Sequence, residues 1–262
     1  MSWAVPPQPH KVFVRNPLVA VVVELRFFPI LKLVTADRER TPQIMADFQE
    51  LVRGRFPAFH DVTRQLVNLG PGAPVEVRNE RLFNFVTQDE SSTLTLSSSS
   101  LALESRLHES RDHFIGDANL AIDALTKTCG SVVPTRLGLR YVDLIDKEQI
   151  EKDLGRSTTW RDLISERFLA IPTGLADLDG TLFACEVGSS MPSGGAQTVR
   201  YGLVEDGDKR TKYRLDVDRF VDGAVDPTKL VDLLKSFADD IFAVFIAAMG
   251  PDLKTWMPER SK

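Results

Sequence analysis

Cysteine and histidine are scarce: two cysteines, Cys129 and Cys185, and four histidines in 262 residues. Two thiols build neither a disulfide framework nor a four-cysteine zinc site, so both are expected as small buried residues of a reducing cytoplasm. Long apolar runs are also missing. The run Leu18–Val23 is strand-sized, and none approaches the roughly 18 residues of a membrane span, so no membrane association is expected. The opening Met1-Ser2-Trp3-Ala4-Val5-Pro6-Pro7 has no basic start followed by an apolar core, which argues against a secretory signal. Charge is nearly balanced, with 32 basic against 37 acidic residues and a net charge of −5. A nucleic-acid partner is therefore not expected. Phosphate loops of the GxGxxG and GxxxxGK[ST] types and the GxSxG elbow are absent, which removes the usual stages for nucleotide and acyl chemistry. The glycine-rich stretch from Gly188 to Gly195 lacks the phosphate-loop lysine and reads as a flexible hairpin loop.

What remains is a regular pattern of short elements. Val19, Val21, Val23, Leu25 and Phe27 alternate with Ala20, Val22, Glu24 and Arg26, the period of a strand. Thr41-Pro42 reads as a cap plus proline opening an amphipathic helix with Ile44, Phe48, Leu51 and Val52 on its stripe. Strand-like pieces follow at 62–68, 75–78 and 82–87, with a turn at Gly70-Pro71-Gly72. Leu94 and Leu96 then fall on even positions, but Leu101, Leu103 and Leu107 fall on odd ones. A straight strand would put the two sets on opposite faces, so Ser97–Ser100 is predicted to be a turn or bulge that restores the phase. A helix is predicted over 110–128 and a strand over 132–145. A broken helical region spans 147–171, strands follow at 181–189, 198–204 and 212–220, and a long helix runs from Asp226-Pro227 to near Gly250.

The two halves rhyme. Each opening strand follows a proline (Pro17, Pro134) and carries a similar tripeptide, Leu25-Arg26-Phe27 and Leu139-Arg140-Tyr141. The reading is an α+β fold of two tandem strand–helix–meander–helix units with mostly antiparallel sheets and a long C-terminal helix. Residues 1–16 form an N-terminal arm, 17–130 the first unit and 131–262 the second, with one compact domain as the alternative.

Three polar clusters and one apolar stripe carry the functional readings. Arg136 and Arg140 alternate onto one face with Gly138 between them. They form a positive floor for a carboxylate or phosphate, with Glu24 and Arg26 of the first strand as further ligand-binding candidates. The alternative is that these arginines are spent on internal ion pairs with Glu24 or Asp216. Asp216 and Asp218 project to one strand face and are candidates for a divalent cation, against pairing across the meander with Arg200; no metal or cofactor is expected. His108 and His113, with Glu109 and Asp112, have the wrong helical spacing for a metal pair and read as polar residues at a helix start. On the last helix, Phe237, Ile241 and Phe245 either pack inside or leave one edge for a partner or a second subunit.

The segments Asn16–Phe27, Phe83–Leu107, Arg136-Leu137-Gly138-Leu139-Arg140-Tyr141 and Leu215-Asp216-Val217-Asp218 resemble a sporadically distributed family of bacterial conserved-hypothetical proteins with a mid-chain RxGLRY-type motif. The resemblance covers nearly the whole chain. It implies cytoplasmic residence and patchily distributed genes, and it brings no activity with it. The sequence differs from that pattern at Val19-Ala20, where an acidic residue is common, and before Phe114, where aromatics are common. The leading functional expectation is a non-catalytic binding or adaptor protein acting in a complex, in a defence or accessory-gene setting, as a homo-oligomer or with a protein partner. A sensor or carrier holding a small anionic ligand between the halves is the alternative. A metal-dependent hydrolase or nuclease using Asp216 and Asp218, with His113 as a further candidate, is the second alternative.

Overall fold

The alternation that starts the chain forms strand β1, Leu18–Phe27, whose odd residues Val21, Val23, Leu25 and Phe27 are buried while Arg26 stays exposed. A computed structural model describes residues 5–6, 8–9, 11–34, 43–68, 76–107, 109–169, 182–207 and 209–260, without the side chains of 66–68 and 76–78. The Thr41-Pro42 cap, the Gly70-Pro71-Gly72 turn and His108 lie outside these residues. Helices and strands are both present, and among the described residues nine strands form one antiparallel sheet. Its other strands are β2 (Ala58–Asn68), β3 (Glu76–Val86), β4 (Ser92–Leu96), β5 (Ser100–Ser105), β6 (Pro134–Ile145), β7 (Phe183–Ser190), β8 (Ala196–Glu205) and β9 (Thr211–Asp222). They are ordered β2-β3-β4-β5-β1-β6-β9-β8-β7.

The chain divides into two compact bodies. One comprises Val22–Gly138 and Asp222–Val231, the other Met1–Val21, Leu139–Val221 and Asp232–Lys262. In the first, α1 (Gln43–Val52) packs against α2 (Arg111–Cys129), and Arg55 at the end of α1 grips Asp117 through Nε at 2.9 Å. Ser110 caps α2 by accepting the His113 N–H at 3.2 Å, so the polar run before this helix is its start signal. Phe83, Phe85, Leu94, Leu96, Leu101 and Leu103 are all buried. The registers Phe83↔Leu96, Phe85↔Leu94, Leu94↔Leu103 and Leu96↔Leu101 place them on one face. The even-to-odd phase change is the product of the serine turn. Ser97 closes it with its backbone N–H to Ser100 O at 2.8 Å, while its Oγ accepts the Ser100 N–H at 3.1 Å.

Two features of the fold escape the composition. Residues 75–87 read as two short strands, yet β3 runs unbroken and pairs with β2 over eleven residues, from Ala58↔Val86 to Asn68↔Glu76. The polar Asn79-Glu80-Arg81 resembles a turn, but cross-strand ion pairs hold it extended: Arg64 to Glu80 at 2.7 Å and Arg81 Nε to Asp61 at 2.9 Å. Residues 11–14, predicted as part of a proline-rich arm, lie alongside the C-terminal residues. Val14 donates to Pro258 O at 2.9 Å and Arg260 donates to Val12 O at 2.8 Å.

The second body holds α3 (Lys147–Leu154), α4 (Trp160–Leu163), α5 (Leu230–Ala248, mostly in this body) and α6 (Pro251–Trp256). The predicted break in the helical region falls at Gly155, and Thr159 restarts it through a reciprocal capping box with Asp162. The odd residues Val199, Tyr201, Leu203, Tyr213, Leu215 and Val217 are buried. Phe168 sits edge-on to Tyr201 at 5.4 Å, and the Tyr213 hydroxyl donates to Phe168 O at 2.8 Å. Phe237, Ile241 and Phe245 of α5 are likewise buried within the chain, so the stripe considered for a partner is spent on the protein's own core.

Candidate functional site

The two arginines of β6 fall in different bodies and meet different partners. Burial along β6 does not simply alternate: Leu137, Gly138 and Leu139 are buried in succession, and Arg140 is the most exposed residue of the strand. Arg136 is largely covered, with Nη1 3.4 Å from Asp222 and Nε 3.8 Å from Glu24. Glu24 also takes the Arg26 Nε at 3.0 Å. These side chains form a local network of paired charges.

Arg140 is different. Its Nε and Nη2 donate to the two oxygens of Asp216, both at 2.7 Å, in a fork-to-fork pair. The Asp216 side chain is only 1% exposed, while that of Arg140 is 46% exposed. Asp216 thus anchors the guanidinium from beneath and holds its pKa above the ordinary arginine value, with Asp218 adding to the field. Nε and one Nη2 proton are committed to Asp216, and the Nη1 edge has no partner among the described residues. A guanidinium fixed on one edge and open on the other suits a planar anion.

The neighbouring strands extend this arrangement. Asp216 lies opposite Arg200, and Arg200 lies opposite Glu186 and donates to it at 2.6 Å. Glu186, Arg200, Asp216 and Arg140 therefore form a row of alternating sign over β7, β8, β9 and β6. Two residues further along β9, Arg214 lies opposite Gly202. Gly202 has φ +154°, and a Cβ there would stand 2.0 Å from Phe183 O, so β7 approaches β8 too closely for any other residue. The Arg214 Nε is enclosed and has no hydrogen-bond acceptor. An enclosed donor without an acceptor is costly, and a ligand oxygen at that position would satisfy it.

A second carboxyl lies close by. Asp143, on β6, is 5% exposed. Burial, reinforced by the nearby Asp216 charge, pushes its pKa up to about 8, so the group is mostly protonated at neutral pH. Two carboxyls thus share one neighbourhood: Asp216 is paired with Arg140, and Asp143 holds its proton. Asp218 lies opposite Thr198. Arg140 occupies both Asp216 oxygens. Among the described residues, no three His, Cys, Asp or Glu side chains gather in a way that would hold a metal.

The sequence singled out Arg140 and Asp216 and allowed them to pair with each other. It also allowed Arg200 to face Asp216. Sequence pattern places Asp143 on the face of β6 opposite Arg140 and Arg214 beside Asp216 and Asp218 but gives neither a role, because burial of one atom or one carboxyl depends on neighbours dozens of residues away. A scan against protein-family models finds no match for the chain, and a search of curated proteins finds no similar sequence.

Proposed function

We propose that the protein is a non-catalytic binding protein that recognises a small ligand through a carboxylate or phosphate placed on the free edge of Arg140. The observation that carries this reading is the exposed guanidinium anchored by a fully buried Asp216, with the unsatisfied Arg214 Nε on the neighbouring stretch of β9 as its support. A buried carboxylate beneath an exposed arginine fixes where its remaining donors point before any ligand arrives, which lowers the ordering cost of binding. The adaptor reading drew on the lack of a catalytic motif and on the α5 stripe, and burial of Phe237, Ile241 and Phe245 removes the second of these. The element order supports the tandem reading. A strand, helix, four-strand meander and helix (β1-α1-β2-β3-β4-β5-α2) are followed by a strand, two short helices, three strands and a helix (β6-α3-α4-β7-β8-β9-α5). Cys129 and Cys185 are half-buried rather than enclosed as expected, and as free thiols they support a cytoplasmic setting.

Thermal-shift screening of citrate, pyrophosphate and mononucleotides against the full chain tests the proposal. At least one is expected to raise Tm by several degrees, and Arg140→Gln and Arg214→Gln are each expected to reduce that rise. Arg214→Gln leaves Asp216 paired and so reports on the site even if Arg140→Gln folds poorly. Stabilisation that survives both substitutions would overturn the assignment.

A further inference from the structure

We propose that a separate half-open cavity, bordered by Lys11 and Phe13 of the second body, binds an aliphatic carboxylate of about eight to ten carbons. The cavity has a volume of about 310 Å³. Phe13, Phe242, Ile246, Met249 and Met257 give it apolar walls, and Lys254 adds a cation. Phe13 stacks on Phe242 with ring centroids 6.3 Å apart, and Met249 and Met257 are buried. Methionines line sites that adjust to flexible apolar chains. At about 30 Å³ per water-sized group, the space holds roughly ten such groups.

Charge selects the headgroup. Lys11 and Glu259, which also line the cavity, neutralise each other in an ion pair. The Lys254 ammonium makes no ion pair among the described residues, so the net charge on the lining is positive. An apolar chain ending in a carboxylate satisfies both the walls and the lysine. The segment that supplies Phe13 is held by the hydrogen bonds of Val14 to Pro258 and of Arg260 to Val12, which fix it beside the cavity.

Isothermal titration of the full chain with octanoate, hexanoate and octyltrimethylammonium tests this. Each buried methylene is worth about fourfold in affinity, so octanoate, two methylenes longer, is expected to bind about fifteenfold more tightly than hexanoate. The cationic chain should give no specific heat. Lys254→Glu, on the surface of α6, is expected to weaken octanoate at least tenfold without changing Tm. Ile246→Trp should abolish binding by filling the cavity. Arg140→Gln should leave octanoate binding unchanged, which separates this site from the one on the sheet. Absence of octanoate binding, or equal binding of the two chains of opposite charge, would refute the proposal. So would a dimer by light scattering that Ile246→Trp dissociates, since a second copy would then be the occupant.

Discussion

Replacing Arg219 with methionine removes the most completely enclosed charge in the second body. Arg219 is 0% exposed, and every nitrogen of its guanidinium has a partner. Nε donates to Asp240 at 2.9 Å. Nη1 donates to Phe220 O at 3.0 Å and Ala196 O at 3.3 Å. Nη2 donates to Gly194 O at 2.6 Å and to Ser193 Oγ at 2.9 Å. The group also lies over the Phe237 ring, 4.5 Å from its centroid. It therefore ties the loop at 191–195 to β9 and to α5. Breaking a buried ion pair from one side costs about 3–5 kcal/mol. The Asp240 side chain is 25% exposed and can recover some water, which places Arg219→Met near the lower end, at about 3 kcal/mol. For a chain of this size that corresponds to a fall in Tm of roughly 6–12 °C. Arg219→Lys keeps the charge but loses the fork geometry and should lie between methionine and wild type. Chemical denaturation measures the loss, and hydrogen exchange at residues 193–195 should rise with it. A change below about 1 kcal/mol would refute the idea that this arginine fixes the loop. Gly195→Ala should show the same loosening, because a Cβ there would stand 2.2 Å from Phe220 O in a backbone with φ +73°.

The raised pKa of Asp143 sets a pH dependence. Its proton is held up to about pH 8 in the folded chain but released near pH 4 in the unfolded one, so its contribution is complete below about pH 4 and disappears as pH rises through 8. Asp143→Asn should therefore flatten the decline in stability between pH 5 and 8, by up to about 1.4 kcal/mol per pH unit, in denaturant midpoints measured across that range. Asp252 behaves oppositely. Arg156 and Thr158 hold its carboxyl below the usual range, so its contribution is present at neutral pH and lost as pH falls through 4, and Asp252→Asn should remove that part of the acid sensitivity. Ser97→Ala should cost about 1 kcal/mol by denaturation because Ser97 Oγ closes its turn, whereas Ser98→Ala should stay within about 0.5 kcal/mol. Ile241→Ala should lose about 2–5 kcal/mol through a core cavity while leaving the oligomeric state by light scattering unchanged.

Local signals proved the most legible. Helix starts at Ser110, Thr159 and Asp226 are visible as residues whose side chains accept nearby backbone N–H groups, and the structure places those hydrogen bonds there. The phase change across Ser97–Ser100 is legible because antiparallel pairing links even residues of one strand to odd residues of the next. Long β3 is not, since exposed polar residues that look like a turn are kept extended by ion pairs to β2. The glycine-rich run ending at Gly195 reads as flexible by composition, yet the guanidinium of Arg219, 24 positions further on, holds it. Arg140 and Asp216 are recognisable as strand charges, but their separation of 76 positions hides which edge of the guanidinium is committed. For Asp143, β-strand alternation says only that it faces away from Arg140, and its neutral state depends on how deeply β6 is covered.

Calorimetric titration of citrate and pyrophosphate into wild type and into Arg140→Lys at low and moderate salt bears most directly on the binding role. Lysine keeps the positive charge over Asp216 but cannot hold it with one planar edge while offering another. The account predicts saturable binding of at least one anion to wild type, weakened about tenfold or more in the lysine variant. Indistinguishable isotherms for the two proteins would contradict it.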